Sequence, residues 1–272
     1  MEKYICETCG VQYSERKEGP NGCDICSEER QYVNPEGQTW TTHEELVQTE
    51  RYKNIIREEE KGLYSITTTP KFGIGQTAYL VQKDGMNVLW DCITYLDQET
   101  VDVIRALGGI DAIAISHPHY YSRMTDWAEA FDAPVYLHQD DREWVMEESA
   151  YLHFWEGESM KLSKNLSLQR LGGHFKGGAV LHMEHGAEGL LLTGDIIQVV
   201  ADHRWVSFMY SYPNLIPLPA AKVAEIAEKV EGLAFDRIYN AFHKVVKTKA
   251  DDVVQKSAER YIHAINGTLF AP

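Results

Sequence analysis

From Leu63 onward, short apolar runs alternate with amphipathic stretches. "LYSITTT", "TAYLVQ" and "NVLWDC" carry the β-branched and aromatic content of strands. "QETVDVIRALGG" has apolar residues at helical spacing and a Gly-Gly stop, and "IDAIAIS" is the length of a buried strand. "RMTDWAEAF" predicts a helix, "APVYLH" a strand and "QDDREWVMEES" a further helix. "LSLQRL", "AVLHME" and "GLLLTGD" predict strands; the amphipathic "AAKVAEIAEKVEGL", the strand "DRIYNA" and the helix "ADDVVQKSAERYIHAIN" close the chain. This alternation predicts a layered α/β domain over residues 63–272, with polar sites at strand ends.

The first 62 residues have a different texture. "TTHEELVQTERYKNIIREEEKGL" reads as a charged helix or two ending at Gly62, so residues 34–62 are expected to be a helical linker. Residues 1–33 are punctuated by Gly10, Gly19, Pro20 and Gly22 and are too poor in apolar side chains to build a core unaided.

Composition narrows the function classes. A chain of 272 residues with 44% hydrophobic side chains can bury one large core beside a small domain. A formal net charge of −15 repels phosphate backbones, which argues against nucleic acid as a partner. "MEKYICETCG" has no apolar signal core, and no apolar run reaches membrane-spanning length. A cytoplasmic protein with a small-molecule substrate and no membrane partner is expected.

Four of the five cysteines fall within the first 26 residues, while Cys92 stands alone. An odd count without a signal core argues against a disulfide framework. Cys6 and Cys9, then Cys23 and Cys26, form two C-x-x-C pairs separated by thirteen residues. Two residues between thiolates let a tight turn aim both sulfurs at one ion, and two such turns complete a tetrahedral S₄ site. "YICETCG" resembles a rubredoxin knuckle, which would hold iron, but the gap between the pairs is shorter than rubredoxins have. A structural zinc is therefore expected in a small Cys₄ ribbon. Residues 1–30 carry seven Asp or Glu against four Lys or Arg, so the ribbon lacks the footprint of a nucleic-acid binder.

Eleven histidines cannot all be ligands. His43, His153 and His263 read as packed or surface residues, and His138, although it follows a strand, as structural. His117 and His119 form an H-x-H after "DAIAI", where the period of two of a strand would turn both rings to one side. His174 follows Gly172 and Gly173, Asp195 ends "LLLTGD", and His243 ends "YNAFH". Each follows an apolar run, so the five are expected to converge on one rim.

In this order the residues resemble the metallo-β-lactamase superfamily, an αββα sandwich of metal-dependent hydrolases. The family shows a strand ending in Asp (here Asp91), then H-x-H-x-D-H ("HPHYYS"), a His after glycine (His174), an Asp after a strand (Asp195) and a late His (His243). The resemblance covers about residues 63–272. It implies that His117, His119 and His174 hold a first metal and that Asp195 bridges toward a second. The departure lies in the second motif, where Tyr121 and Ser122 replace the Asp and His that help hold the second ion. His243 and Asp195 alone are too few for a tight second site, so the resemblance implies a site with one metal.

The lost Asp is also a general base in the family, worth about 10²–10⁴ in rate. Asp195 can take over orientation of water, and Tyr120 or Tyr121 can donate a hydrogen bond to an oxyanion. The plainer alternative for Tyr121 is that it merely fills the vacated pocket. Residues 201–220 hold His203, Trp205, Phe208, Tyr210 and Tyr212, aromatics suited to a substrate wall or to an interface between copies. The expected function is a zinc-dependent hydrolase of an ester, lactone, thioester or phosphoester, with Asp195 and Tyr121 catalytic and Tyr120, His203 and Tyr210 binding substrate. Two alternatives remain open. One keeps the fold and places iron on His117, His174 and Asp195 for oxidation of a sulfur compound by dioxygen. The other is a non-catalytic metal-binding scaffold.

Overall fold

The computed structural model describes residues 1–186 and 188–270. The chain divides into two compact units, Met1–Trp155 and Glu156–Pro272. No helix among the described residues is long and apolar enough to cross a membrane.

In the first unit, β1 (Ile5–Cys6) and β2 (Trp40–Thr41) pair antiparallel on either side of the short helix α1 (Asp24–Ser27). Helix α2 (His43–Gln48) opens with a capping box, in which the Thr42 hydroxyl accepts from Glu45 N–H and the Glu45 carboxylate accepts from Thr42 N–H. A sheet of order β3-β4-β5-β6-β7-β8-β9 follows. Its antiparallel part is β3 (Lys53–Glu60), β4 (Leu63–Thr69), β5 (Ala78–Lys83) and β6 (Met86–Trp90). Helix α3 (Gln98–Ala106) carries the chain to β7 (Ala112–Ala114), and α4 (Met124–Phe131) carries it to β8 (Val135–His138). β6, β7, β8 and β9 (Leu152–Trp155) run parallel. Every residue of β7 is buried, as a parallel strand covered on both faces requires.

Two expectations need correction here. The helical reading of residues 34–62 holds for His43–Gln48, but Lys53–Glu60 is a strand, paired with β4 along its length. It lies at the end of the sheet. Its charged side chains are those of an edge that must resist pairing with other chains, and that charge hides the strand signal. "QDDREWVMEES" yields only a 3₁₀ segment, Gln139–Trp144. The chain is extended again at Val145, and the Met146 carbonyl accepts from Ser14 N–H at 3.2 Å. A continued helix would have claimed that carbonyl for itself.

The second unit has a sheet of order β10-β11-β12-β13-β18-β19. Its strands β10 (Ser159–Lys161), β11 (Leu166–Arg170), β12 (Ala179–Met183) and β13 (Leu190–Leu192) are antiparallel neighbours. Short pairs follow, β14 (Gln198–Val199) with β15 (Val206–Ser207) and β16 (Met209–Ser211) with β17 (Ile216–Pro217). Helix α5 (Ala220–Glu231) leads to β18 (Arg237–Tyr239), which pairs parallel with β13; β19 (Val245–Val246) and α6 (Ala250–Ile265) complete the unit. Val223, Ile226 and Val230 of α5 and Val254 of α6 share one core with Leu191 and Ile238 of the sheet.

A buried polar network ties the N-terminal segment into the first unit. Arg123 is buried; its Nε donates to Gln12 Oε1 at 3.0 Å, its Nη1 to the Thr94 carbonyl at 3.3 Å, and its Nη2 pairs with Asp126. Asp126 also accepts from Lys3 at 3.0 Å and from Gln12 at 3.1 Å. Glu147 accepts from Gln12 at 2.8 Å and Thr125 at 2.6 Å and pairs with Lys3 at 2.6 Å. Burial raises the Asp126 pKa, but Arg123, Lys3 and Gln12 outweigh it and hold the carboxyl below its ordinary value.

Removing one partner of a buried pair costs about 3–5 kcal/mol. Arg123→Ala is therefore expected to lower the unfolding free energy by about that much at neutral pH, read as a lower urea midpoint. A carboxyl with a depressed folded pKa contributes stability above its unfolded pKa of about 3.9 and loses it as pH falls through the folded value. The destabilisation caused by Asp126→Asn should accordingly shrink below about pH 4. A cost unchanged from neutral to acid pH would show that the Asp126 charge is not what the network uses.

Candidate functional site

The first candidate centre lies in the N-terminal segment. Cys6, Cys9, Cys23 and Cys26 are buried, and their sulfurs lie within 4.8 Å of one another. Cys6 Sγ is 3.6 Å from Cys26 Sγ, and Cys9 Sγ is 3.6 Å from Cys23 Sγ. A tetrahedron of sulfurs around an ion with bonds of about 2.3 Å has an edge of about 3.8 Å, so the cluster has the size of a metal cage. Cys9 N–H at 3.5 Å and Gln38 Nε2 at 3.1 Å donate to Cys6 Sγ. Hydrogen bonds from Cys23, Cys26 and Cys9 hold the Cys6 thiol well below its ordinary pKa, whereas burial pushes Cys9 well above its own. Four buried sulfurs cannot all be anionic without a cation among them, so the donor set fits a divalent metal. Cys92 is buried apart from them, and its thiol is pushed up by burial and by the neighbouring Asp91 charge.

The histidine loop follows β7. Its strand ends at Ala114, His117 is extended (φ −170°, ψ 170°), and Pro118–Tyr120 form one 3₁₀ turn. It is that turn, rather than strand periodicity, that brings His117 and His119 together, with ring centroids 5.1 Å apart. Both rings are buried. His117 Nδ1 is engaged by Ser116 Oγ at 2.9 Å, which directs Nε2 toward any ion. Asp91 follows β6 with φ +60°, and its Oδ1 accepts from Ser116 N–H at 2.8 Å. A non-glycine residue in the left-handed region is held there by its surroundings, and here it braces the loop that carries both histidines.

Tyr120 is fully buried, its ring 4.4 Å from that of His117. Tyr121 is also buried, and its hydroxyl donates to the Asp141 carbonyl at 3.4 Å. Burial, with the Asp141 charge, pushes the Tyr121 phenol well above its ordinary pKa.

In the second unit, β13 and β18 run parallel, so the loops bearing Asp195 and His243 leave the same end of the sheet. The Ala241 N–H donates to the Gly194 carbonyl at 2.8 Å and links them. His174 is carried on the turn after β11. Gly173 has φ +85°, and a Cβ there would sit 2.9 Å from Ile226 Cδ1, so the turn must be glycine. His174 and Asp195 are both buried, with His174 Nε2 3.9 Å from Asp195 Oδ1. The Met209 carbonyl, 3.1 Å from His174 Nδ1, fixes the tautomer that presents Nε2. His243 is exposed, with φ +54°.

The aromatic segment 201–220 differs from the exposed substrate wall that its composition suggests. Phe208 is fully buried in the core of the unit, and the Trp205 ring lies under Arg260 at 3.5 Å. Tyr210 is half-buried against that core. His203 is exposed on a cleft of about 380 Å³ shared with Arg204, Lys247, Lys249 and Lys256. The aromatic that meets the His174–Asp195 pair is Tyr212, whose hydroxyl donates to the Asp195 carbonyl at 2.8 Å and whose ring lies 5.9 Å from that of His174. Burial, with the Asp195 charge, pushes its phenol well above the ordinary value. Ser116 and the Met209 carbonyl, which orient the imidazoles, carry no signal in the sequence.

The model of the metallo-β-lactamase superfamily matches residues 73–243. An uncharacterized protein of Bacillus subtilis (strain 168), YmaE, is 62% identical over 272 residues, covering 99% of each chain. Among solved structures, the DIM-1 metallo-β-lactamase is 15% identical, with a TM-score of 0.59 over 78% of this chain and 98% of its own. TTHA1623, solved in a di-iron-bound form, is 22% identical, with a TM-score of 0.51 over 69% and 96%. At such identities the two solved structures show the fold alone, and the family rests on the model match over residues 73–243. The chain belongs to the metallo-β-lactamase superfamily.

Proposed function

We propose that the protein is a metal-dependent hydrolase in which His117, His119, His174 and Asp195 hold one ion. The observation that supports this most is the preset orientation of the ligand rings. His117 Nδ1 is engaged by a serine hydroxyl and His174 Nδ1 by a backbone carbonyl, each leaving Nε2 as the ligand nitrogen. Three imidazoles and a carboxylate suit zinc. A divalent ion supplies Lewis acidity there, polarising a carbonyl or phosphoryl oxygen and acidifying water.

The chain's own groups do the rest. Asp195 orients the attacking water and receives its proton, while Tyr212 holds the Asp195 backbone in place. Asp91 keeps the histidine loop fixed through Ser116. Tyr121 keeps its proton and serves as a neutral filler or hydrogen-bond donor in place of a carboxylate. Two divalent ions a few ångströms apart repel each other unless anionic ligands offset them, so the exchange of Asp and His for Tyr121 and Ser122 favours a single ion. Substrates are small molecules with an ester, lactone, thioester or phosphoester bond. The Cys₄ cluster is taken to hold a separate structural zinc.

Metal analysis of the purified protein should find about two zinc ions per chain, one in each kind of ligand set. Cys23→Ser is expected to release about one of them, and His174→Ala the other together with hydrolytic activity. An unchanged metal content in His174→Ala would refute the histidine assignment. Tyr121→Phe should leave the stoichiometry as it is, because the phenol binds no ion. Iron in place of zinc, with dioxygen uptake on a thiol substrate, would replace the hydrolase reading by the oxygenase one.

A further inference from the structure

The N-terminal ribbon grips the first unit beside the histidine loop. Gly10 follows the ligand Cys9; its φ is +85°, and its carbonyl accepts from Thr94 Oγ1 at 3.1 Å. A Cβ on Gly10 would lie 2.1 Å from that oxygen, so the ribbon approaches as closely as a backbone can. Cys6 N–H donates to the Val11 carbonyl at 3.0 Å, and Gly10 N–H to the Cys6 carbonyl at 2.8 Å. The knuckle that aims Cys6 and Cys9 therefore also places Gln12.

Gln12 reaches the histidine loop directly. Its N–H donates to the Ser122 carbonyl at 3.0 Å, and its Oε1 accepts from Arg123 Nε at 3.0 Å. Ser122 has φ +44°, and its hydroxyl accepts from Gln76 Nε2 at 2.9 Å and donates to the Cys92 carbonyl at 3.3 Å. A serine in that conformation is costly unless the surroundings hold it. At the other end of the loop, Asp91 holds Ser116 N–H. The stretch from Ser116 to Ser122, with both histidines inside it, is pinned by Asp91 before them and by the ribbon after them. The ribbon thus holds Ser122 by its backbone carbonyl, while Gln76 and the Cys92 carbonyl hold its hydroxyl.

We propose that the Cys₄ ribbon is a positioning element for the metal-binding histidines. An ion on Cys6, Cys9, Cys23 and Cys26 fixes Gln12, and Gln12, through Ser122 and Arg123, sets the geometry and metal affinity of His117 and His119. The proposal rests on the reading of those histidines as ligands. Coupling of this kind is reciprocal, so an ion on the histidines also tightens the ribbon's hold on its own. A ribbon that only stabilised the fold would change the melting temperature and leave the histidine site's affinity and spectrum untouched.

The test titrates cobalt(II) into the full-length chain with zinc in the ribbon, against a competing chelator. The histidine site reports through ligand-field bands, without the thiolate-to-cobalt charge transfer that marks the ribbon. Supporting residues around a metal site typically contribute about 10–100-fold in affinity. Gln12→Ala, which keeps all four cysteines, and Cys26→Ser are each expected to weaken cobalt binding at the histidines by about that factor and to shift the bands. Equal affinity and an identical spectrum in both variants would overturn the coupling. Absence of the nitrogen–oxygen bands from the wild-type chain would instead overturn the histidine site itself. Should Gln12→Ala not fold, Arg123→Lys decides in its place, because it keeps the charge and loses the fork that meets Gln12 and Thr94.

Discussion

Parallel pairing of strands is the constraint on which the rest of this architecture depends. Strands that run the same way release their loops at the same end, and each return needs a crossover that covers a face of the sheet. In the first unit the pairing of β6, β7 and β8 sends Asp91, the histidine loop and His138 out from one end. In the second, β13 and β18 do the same for Asp195 and His243. The chemistry-bearing side chains are thus held by short loops whose ends are fixed by fully buried backbone, and the remaining freedom is removed by hydrogen bonds such as Asp91 to Ser116 and Tyr212 to Asp195.

Electrostatics shapes what that frame can hold. Tyr121, two positions after His119, brings no negative charge to the histidine loop, since burial and the Asp141 charge push its phenol above the ordinary value. The ribbon has a different arrangement, four sulfurs packed closely enough to suit a cation among them. Between the two runs a network of Arg123, Asp126, Lys3 and Glu147, in which each charge has an opposite partner within hydrogen-bonding reach. Arg123 and Glu147 are buried and Lys3 and Asp126 partly so, and removing one partner of such a pair costs more than the intact pair contributes.

Much of the fold is visible in the sequence wherever apolar runs are long enough to show a period. α3, α5 and α6 and the strands around "AIA" and "LLL" lie where their patterns place them. β3 does not, because an edge strand of Lys, Arg and Glu carries the charge pattern of an exposed helix. β14 to β17 span two or three residues each, too short for any periodicity. Of the candidate site, His117, His119, His174 and Asp195 are legible as polar residues after apolar runs, as are the paired cysteines, whereas His243, which follows such a run too, is exposed and outside that group. Gln12 and Arg123 are not, for they stand 111 positions apart and nothing local marks either as the other's partner. Tyr212 is visible only as one aromatic among several, since its role depends on reaching a backbone carbonyl.

The placement of the cysteines along the chain has a consequence for biosynthesis. All four lie within the first 26 residues, and their anchor at Ser122 and Arg123 belongs to the same unit. A nascent chain folds from its N-terminal unit onward. Every residue that the ribbon and its grip use therefore precedes His174 and Asp195 in the order of synthesis. Were the two sets to take up metal as proposed, loading would have a direction in time, because the four thiols are made before the imidazole set has its last two members.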